Sequence, residues 1–470
     1  MTLHTSYSCR TKDTANAFQS TTEIYRKAVD FFIDVCLQEW DSIQDLNSQE
    51  RVNKVEAFTN KTKARPDVKY DFSVDFYKFP SYLRRAAIKK AIGHVSSYQS
   101  NLENWKAAGP ETRGKEPGKP KAGNDCPVFY HNQMYERQSD YICSVKLYVK
   151  NDWVWVDIPL RKTDVKYIQR YCKDRVEQCP SLRKRGKVWS LDFPFEEKVS
   201  LCDVELFDTR ILAVDLGIKN PCTCSVLQAD GTVLGRAFYH EGSGAGEPAE
   251  PEGQHSMGCL YDRLNKELGH IRHAQSLGAR HMPNLWAKAK GINDQIARKT
   301  AQFIIDTAIC YNVDVIVFEH LDTSGKKHGS KKQRLHHWRA KYVQQMVADK
   351  AHRLKMHISH ICAWNTSRLA FDGSGRVKRG KESEKANGNY SLCEFSTGKV
   401  YNCDLNASYN IGARYFIREI LKSLPAKVGQ AVGAKVPQSL KRSTCTLSVL
   451  KEMYATLCGP ALLDGEDSAA

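Results

Sequence analysis

The sequence lacks any long hydrophobic run. No stretch approaches the roughly 18 consecutive apolar residues of a membrane-spanning helix, and residues 1–10 contain no apolar signal-peptide core. We therefore expect a soluble, cytoplasmic protein that has no membrane partner.

Cysteine pairs of the C-x-x-C type are also missing, although the chain has 16 cysteines. The thiols are scattered from Cys9 to Cys458, which argues against a disulfide framework. Cys222 and Cys224 lie two residues apart, so on a strand both would point to one face. We expect most of these cysteines to be buried as small apolar side chains.

Acidic residues are scarce relative to basic ones. The chain has 53 Asp and Glu against 70 Lys and Arg, which gives a net charge of +17 and a pI near 9.1. This excess of positive charge makes a polyanion, nucleic acid above all, the expected partner.

The hydrophobic pattern changes along the chain and predicts a multidomain α/β protein. Helical spacing dominates the first hundred residues, a period of two follows the Gly/Pro/Lys-rich linker, and mixed α/β character begins near Ile211. The predicted segments are a β-rich domain at 1–15 and 125–207, a helical domain plus linker at 16–124, an α/β domain with basic helices at 208–358, an irregular segment at 359–402, a helix at 403–423 and a tail at 424–470.

Three acids stand in places where a carboxylate is costly. Asp215 follows the apolar run "ILAV", Glu319 ends the apolar strand "VDVIVFE", and Asp404 opens a predicted helix. A buried carboxylate costs several kcal/mol unless it is paired, whereas converging carboxylates can hold hard divalent cations. Each acid also has a purely structural interpretation: a strand-end turn for Asp215, a loop cap for Glu319 and a helix N-cap for Asp404.

The three acids lie in segments that resemble one known family. "VDLGIKNP", "VIVFEHLD" and "CDLNASYNIGARY" are similar to the split motifs of RuvC-like nuclease domains, as found in TnpB proteins and compact type V CRISPR effectors. The resemblance covers roughly residues 205–420. It implies an RNase H-like nuclease fold, preceded by a β-rich wedge-like domain with an inserted helical recognition domain.

The resemblance also implies a site and partners. Asp215, Glu319 and Asp404 would be catalytic and would ligate two Mg²⁺ ions, for which Mn²⁺ could substitute. A guide RNA and double-stranded target DNA would be the partners, bound by one copy or by a homodimer in a prokaryotic cytoplasm. Further candidates for nucleic-acid contacts are basic: Arg298, Lys299, Arg334, Arg339, Arg368, Arg376, Lys378 and Arg379.

The sequence departs from the family at its zinc ribbon, which ordinarily has two C-x-x-C pairs. Residues 359–402 and the motif that follows offer only the widely spaced Cys362, Cys393 and Cys403. We therefore expect this segment to fold without zinc, as a small lid whose basic residues contact the scissile strand.

The sequence therefore predicts an RNA-guided, Mg²⁺-dependent DNA endonuclease, which cuts after recognising a flanking motif and pairing its guide with the target. Two alternatives stay open: an unguided resolvase or transposase of the same fold, and a guide-directed DNA-binding protein that does not cut. A sugar-kinase or actin-like ATPase also begins with "DLG", but the second glycine-rich phosphate loop of that fold is missing here.

Overall fold

A computed structural model describes residues 1–11, 15–109, 113–217, 220–239, 260–321, 339–386, 388–441 and 443–458. The chain divides into two compact units, Thr2–Lys198 and Val199–Ala470, the second of which also includes Met1. The division after Lys198 lies before the predicted end of the β-rich domain at residue 207.

The first unit contains two antiparallel sheets. Its strands are β1 (Thr2–Arg10), β2 (Tyr135–Ser139), β3 (Ile142–Val149), β4 (Asp152–Pro159), β5 (Val176–Glu177), β6 (Ser181–Arg185) and β7 (Val188–Lys198). The long strand β7 pairs with β1 on one edge and with β5 and β6 on the other, while β2, β3 and β4 form the second sheet. Thr2 pairs with Lys198, so the two ends of the unit are neighbours.

Helices lie between β1 and β2 and again before β5. They are α1 (Ala15–Gln38), α2 (Trp40–Ile43), α3 (Ser48–Thr59), α4 (Phe72–Asp75), α5 (Ser81–Ala107) and α6 (Lys162–Tyr171). Phe32, Phe72 and Phe76 stack together in one apolar core that these helices share with the sheets. The helices that the sequence predicts for the first hundred residues therefore lie between β1 and β2 of the same unit.

A mixed five-stranded sheet is the centre of the second unit. Its strands are β8 (Ile211–Asp215), β9 (Cys222–Leu227), β10 (Val233–Tyr239), β11 (Val315–His320) and β12 (His357–Cys362), in the order β10-β9-β8-β11-β12. The strands β8, β11 and β12 are parallel, and β9 is antiparallel to β8 and β10.

Helices cover both faces of this sheet. They are α7 (Leu260–Ser276), α8 (Pro283–Cys310), α9 (Ala340–Arg353), α10 (Cys403–Ser423), α11 (Ala426–Lys435) and α12 (Leu447–Cys458). One face of the sheet, here called the α10 face, packs against α10, α11 and α12. The opposite face, here called the apolar face, packs against α8 and α9. A small antiparallel sheet of β13 (Lys378–Arg379), β14 (Leu392–Glu394) and β15 (Val400–Asn402) precedes α10, and short 3₁₀ turns lie at Gly380–Glu382 and Pro437–Leu440.

Three segments differ from the sequence prediction. The strand β12 falls where an irregular segment is predicted to begin, because this edge strand is polar and buries only Ile361 fully. The basic run "RKRGK" at 183–187, whose charge and glycine predict a cationic turn, lies largely in the strand β6, and the turn itself is made by Gly186 at φ +61°. The predicted tail contains α11 and α12, which bury Val432, Leu450 and Met453 in the core beside α10.

The membrane prediction can be compared with the described helices alone. None of them combines the length and the apolar character that a membrane span requires.

Candidate active site

The period of the strands places Asp215 and Glu319 on the same face of the sheet. Along β8, Ile211 and Ala213 pack on the α10 face, whereas Leu212 and Val214 pack on the apolar face. Asp215 continues the first series. Along β11, Val315 and Val317 pack on the α10 face, and Glu319 continues that series.

Strand register brings these two acids close together. The parallel pairing of β11 with β8 joins Phe318 to Val214. The next residue on each strand is Glu319 and Asp215. Both acids therefore lie at the carboxyl ends of neighbouring parallel strands, facing α10.

Asp404 joins them from the first turn of α10. The N-cap of this helix is Asn402, whose side chain accepts hydrogen bonds from the backbone N–H groups of Asp404 and Leu405 at 2.9 and 3.0 Å. The N-cap interpretation of Asp404 is therefore wrong. Because Asn402 fills that role, the Asp404 carboxylate is not used as a cap, and it accepts a hydrogen bond from Asn220 Nδ2 at 2.9 Å.

The charges of the three acids interact. Burial raises the pKa of Asp215 well above its ordinary value, and the negative charges of Glu319 and Asp404 raise this pKa further, while Arg379 opposes the increase. Burial also raises the pKa of Glu319, against a hydrogen bond from Thr366 and the charge of Arg414, which lower it. The cluster therefore concentrates negative charge in a poorly solvated place.

Two threonine hydroxyls border the acids. Thr366 Oγ1 donates a hydrogen bond to Glu319 Oε1. Thr223 pairs directly with Asp215 across β8 and β9, and its buried Oγ1 has no hydrogen-bond partner among the described residues. A buried hydroxyl without a partner beside a carboxylate is a place where a further polar group is expected.

The donor chemistry of this cluster suits a hard divalent cation. Carboxylate oxygens are the ligands that Mg²⁺ takes from proteins, and a cation would relieve the repulsion that raises the pKa of Asp215. As the side chains stand, no group of three or more His, Cys, Asp or Glu residues in the described ranges is arranged to hold a metal ion. The match between this cluster and a divalent cation therefore rests on the carboxylate oxygens as donor atoms and on their negative charge.

A row of polar side chains on α10 fixes the segment that carries Thr366. Asn410 Nδ2 donates to the carbonyls of Thr366 and Leu369, both at 2.9 Å. One turn further along the helix, Arg414 Nη1 donates to the carbonyls of Cys362 and Trp364, both at 2.7 Å. Asn410 and Arg414 are buried, so α10 is enclosed on almost every side.

The small sheet before α10 contributes Arg379 to the acidic cluster. Arg379 lowers the pKa of Asp215, and its Nη2 donates to the carbonyl of Tyr390 at 3.3 Å. Cys393 and Cys403 lie in the same apolar cluster and are hydrogen-bonded to each other, which lowers the pKa of Cys403, as does the charge of Arg379. The third cysteine, Cys362, is exposed on β12.

The other basic candidates lie in several places. Arg368 and Arg376 are exposed on the segment between β12 and β13, and Lys378 is exposed at the start of β13. Arg298 and Lys299 are exposed on α8, which covers the apolar face. Arg339 forms an ion pair with Asp294. Arg334 falls outside the described residues.

Sequence reasoning missed the polar partners of the acids. Asn220, Asn410 and Arg414 lie within the motifs that resemble RuvC-like domains, and Thr366 lies between the second and third motifs, but the sequence predicted no role for these four residues. A usable signal was the spacing of Asn406, Asn410 and Arg414, which recur every four residues on one helix face. Thr223 gave no signal, because it stands in an apolar strand between two cysteines.

In fold, the chain is similar to a protein that was solved in complex with nucleic acid. Its structure matches the protein in "Cryo-EM structure of the Cas12f1-sgRNA-target DNA complex" with a TM-score of 0.51 and 14% identity, over 84% of this chain and 81% of that one. The CasPhi-2 (Cas12j) structure bound to crRNA matches with a TM-score of 0.39 and 11% identity, over 87% of this chain and 97% of that one, a score too low to support an argument.

Sequence comparison identifies relatives of the first unit. Residues 2–149 match the model of the Aq_aa04 family. The uncharacterized protein aq_aa04 of Aquifex aeolicus (strain VF5) is 31% identical over 125 residues, which cover 24% of this chain and 67% of that protein. The chain therefore belongs to the Aq_aa04 family.

Proposed function

We propose that this protein is an RNA-guided DNA endonuclease of the compact type V effector kind, with a RuvC-like site made by Asp215, Glu319 and Asp404. One observation carries the proposal. Two of the acids end neighbouring parallel strands on the same sheet face, and the third opens the helix that packs there, so that their charges interact.

The three carboxylates would hold two Mg²⁺ ions. A pair of such ions supplies an activated water and stabilises the leaving oxygen of an in-line displacement at phosphorus. The chain's own residues prepare the site. Thr366 and Asn220 orient the carboxylates of Glu319 and Asp404 through hydrogen bonds, and Arg379 places a positive charge beside Asp215.

Charge and fold support the proposed partners. A net charge of +17 suits two nucleic-acid chains, and the Cas12f1 protein whose fold is similar was solved with an sgRNA and target DNA. By analogy with that complex, base pairing between guide and target would read the sequence, while the protein would contact the backbones.

The test begins with purification of the protein from cells that carry its own genomic locus, followed by sequencing of the RNA that copurifies. DNA matching this RNA is then incubated with the complex in MgCl₂ or in EDTA. We expect cleavage only with the metal. The changes Asp215→Ala and Glu319→Ala should reduce the rate by about 10³-fold or more while DNA binding persists, because several kcal/mol of charge stabilisation is lost.

The matched control is Asp306→Ala, which removes an exposed acid from α8 on the opposite side of the sheet. This variant should cut at the wild-type rate. Normal cutting by Asp215→Ala would contradict the site. Cleavage without any specific RNA would favour the unguided resolvase or transposase, and guide-dependent binding without cleavage would favour the non-cleaving protein.

A further inference from the structure

Trp364 is unusually exposed for a tryptophan. Its relative exposure is 70%, which is the largest among the tryptophans that the structure describes; Trp155 follows at 43% and Trp286 at 36%. An indole this exposed contributes little to a core. Tryptophan on a surface more often marks a place where a partner is bound.

The backbone that carries Trp364 is held from below by α10. Its carbonyl accepts a hydrogen bond from the buried Arg414 at 2.7 Å, and the carbonyl of Cys362 accepts another from the same nitrogen at 2.7 Å. On the other side, Asn410 binds the carbonyl of Thr366 at 2.9 Å. Trp364 therefore projects from a fixed segment, and a preorganised aromatic side chain loses little entropy on binding.

This segment also reaches the acidic cluster. Thr366, two residues after Trp364, donates its hydroxyl hydrogen bond to Glu319. Two residues of extended chain span at most about 7 Å. The backbone of Trp364 is therefore within about 7 Å of the backbone of the residue that hydrogen-bonds Glu319.

Exposed cations follow Trp364 in the chain, and one of them, Arg368, forms an ion pair with Glu382. Arg368, Arg376 and Lys378 are exposed, and the strand-like contact in which Val377 N donates to the carbonyl of Arg368 at 3.0 Å holds their two segments side by side. An aromatic platform next to exposed cations is the usual combination in proteins that bind single-stranded nucleic acid.

We propose that Trp364 stacks on one nucleobase of the DNA strand being cut and thereby positions the neighbouring phosphate at Asp215, Glu319 and Asp404. This inference rests on the proposed function. Stacking needs only a π face, so Trp364 acts on any base and adds no sequence preference. In this role Trp364 positions the substrate and takes no part in the bonds that break and form.

The experiment compares wild type, Trp364→Ala and Trp364→Phe as guide-bound complexes that cut a set of target DNAs, each with one abasic nucleotide at a successive position near the cut. We expect Trp364→Ala to cut intact DNA about 10- to 100-fold more slowly, and Trp364→Phe to recover most of the rate. In wild type, one abasic position should slow cutting to a similar extent. That same position should make no difference to Trp364→Ala.

The matched control is Trp286→Ala, which removes an exposed tryptophan from α8 and should keep the wild-type response to abasic DNA. Equal rates for Trp364→Ala and wild type would overturn the inference, as would a loss of rate that is unrelated to any abasic position. Failure of the proposed function is separate: it requires that Asp215→Ala still cuts.

Discussion

The two faces of the five-stranded sheet are made by alternate residues of the same strands, yet they differ in kind. On the apolar face, Leu212, Val214 and Phe318 pack in one cluster with apolar side chains of α8, α9 and their neighbours. On the α10 face, the same strands continue into Asp215 and Glu319, opposite a helix with buried polar side chains.

This difference separates stability from chemistry. The apolar face removes hydrocarbon from water and stabilises the fold. The α10 face contributes less of this stabilisation, because it contains carboxylates: burial raises the pKa values of Asp215 and Glu319, and the charges of the other two acids raise the pKa of Asp215 further. Glu319 accepts a hydrogen bond from Thr366, whose segment is fixed by Asn410 and Arg414 of α10, and this contact holds the Glu319 carboxylate in place.

The largest expected effect on stability comes from the apolar face. Ile304 is fully buried on α8, and Ile304→Ala should lower the free energy of unfolding by about 2–5 kcal/mol because it leaves a cavity. Denaturant unfolding measures this loss. The cleavage rate per folded molecule should be unchanged, and a large fall in that rate would break the separation between the two faces.

A smaller effect, on chemistry, is expected at Thr366. Thr366→Val keeps the shape of the side chain but removes the hydrogen bond to Glu319, and should slow cleavage about 10- to 100-fold. Because this bond lowers the pKa of Glu319, its loss raises that pKa, and the acid limb of the pH–rate profile should move to higher pH. Thr366→Ser restores the hydroxyl and should restore both the rate and the profile. A rate loss with an unmoved profile would contradict this role.

The smallest effect is expected from Asp215→Asn in the absence of metal, which should raise the free energy of unfolding. The pKa of Asp215 in the folded protein is raised above the ordinary 3.8, so the wild type loses stability as pH rises from about 4 through the folded pKa. Asp215→Asn carries no such charge. In EDTA it should be the more stable variant at pH 8, because the wild type must keep a charged carboxylate in a buried place. Thermal melting from pH 4 to pH 8 measures the difference, which should vanish toward pH 4; a constant difference would contradict it.

The sequence predicted the strands and the helix that depend on the local order of apolar and polar residues. The apolar runs before Asp215 and Glu319 identify their strands, and the helical pattern after Asp404 identifies α10. The strand β12 could not be predicted, because an edge strand with one buried residue has no apolar pattern. The spacing of Asn410 and Arg414 places both on one helix face, but their partners and the partner of Thr366 could not be predicted, because these contacts join residues 44 to 52 apart in the chain and depend on register and packing.

Metal binding by the acids is tested most directly by titrating MnCl₂ and MgCl₂ into the metal-free protein in a calorimeter, with wild type, Asp215→Asn and Glu319→Gln in parallel. We expect saturable binding to wild type, with a higher melting temperature in the presence of the metal, and loss of both in the two variants. Binding of equal affinity in all three proteins would contradict the assignment of Asp215 and Glu319 as metal ligands.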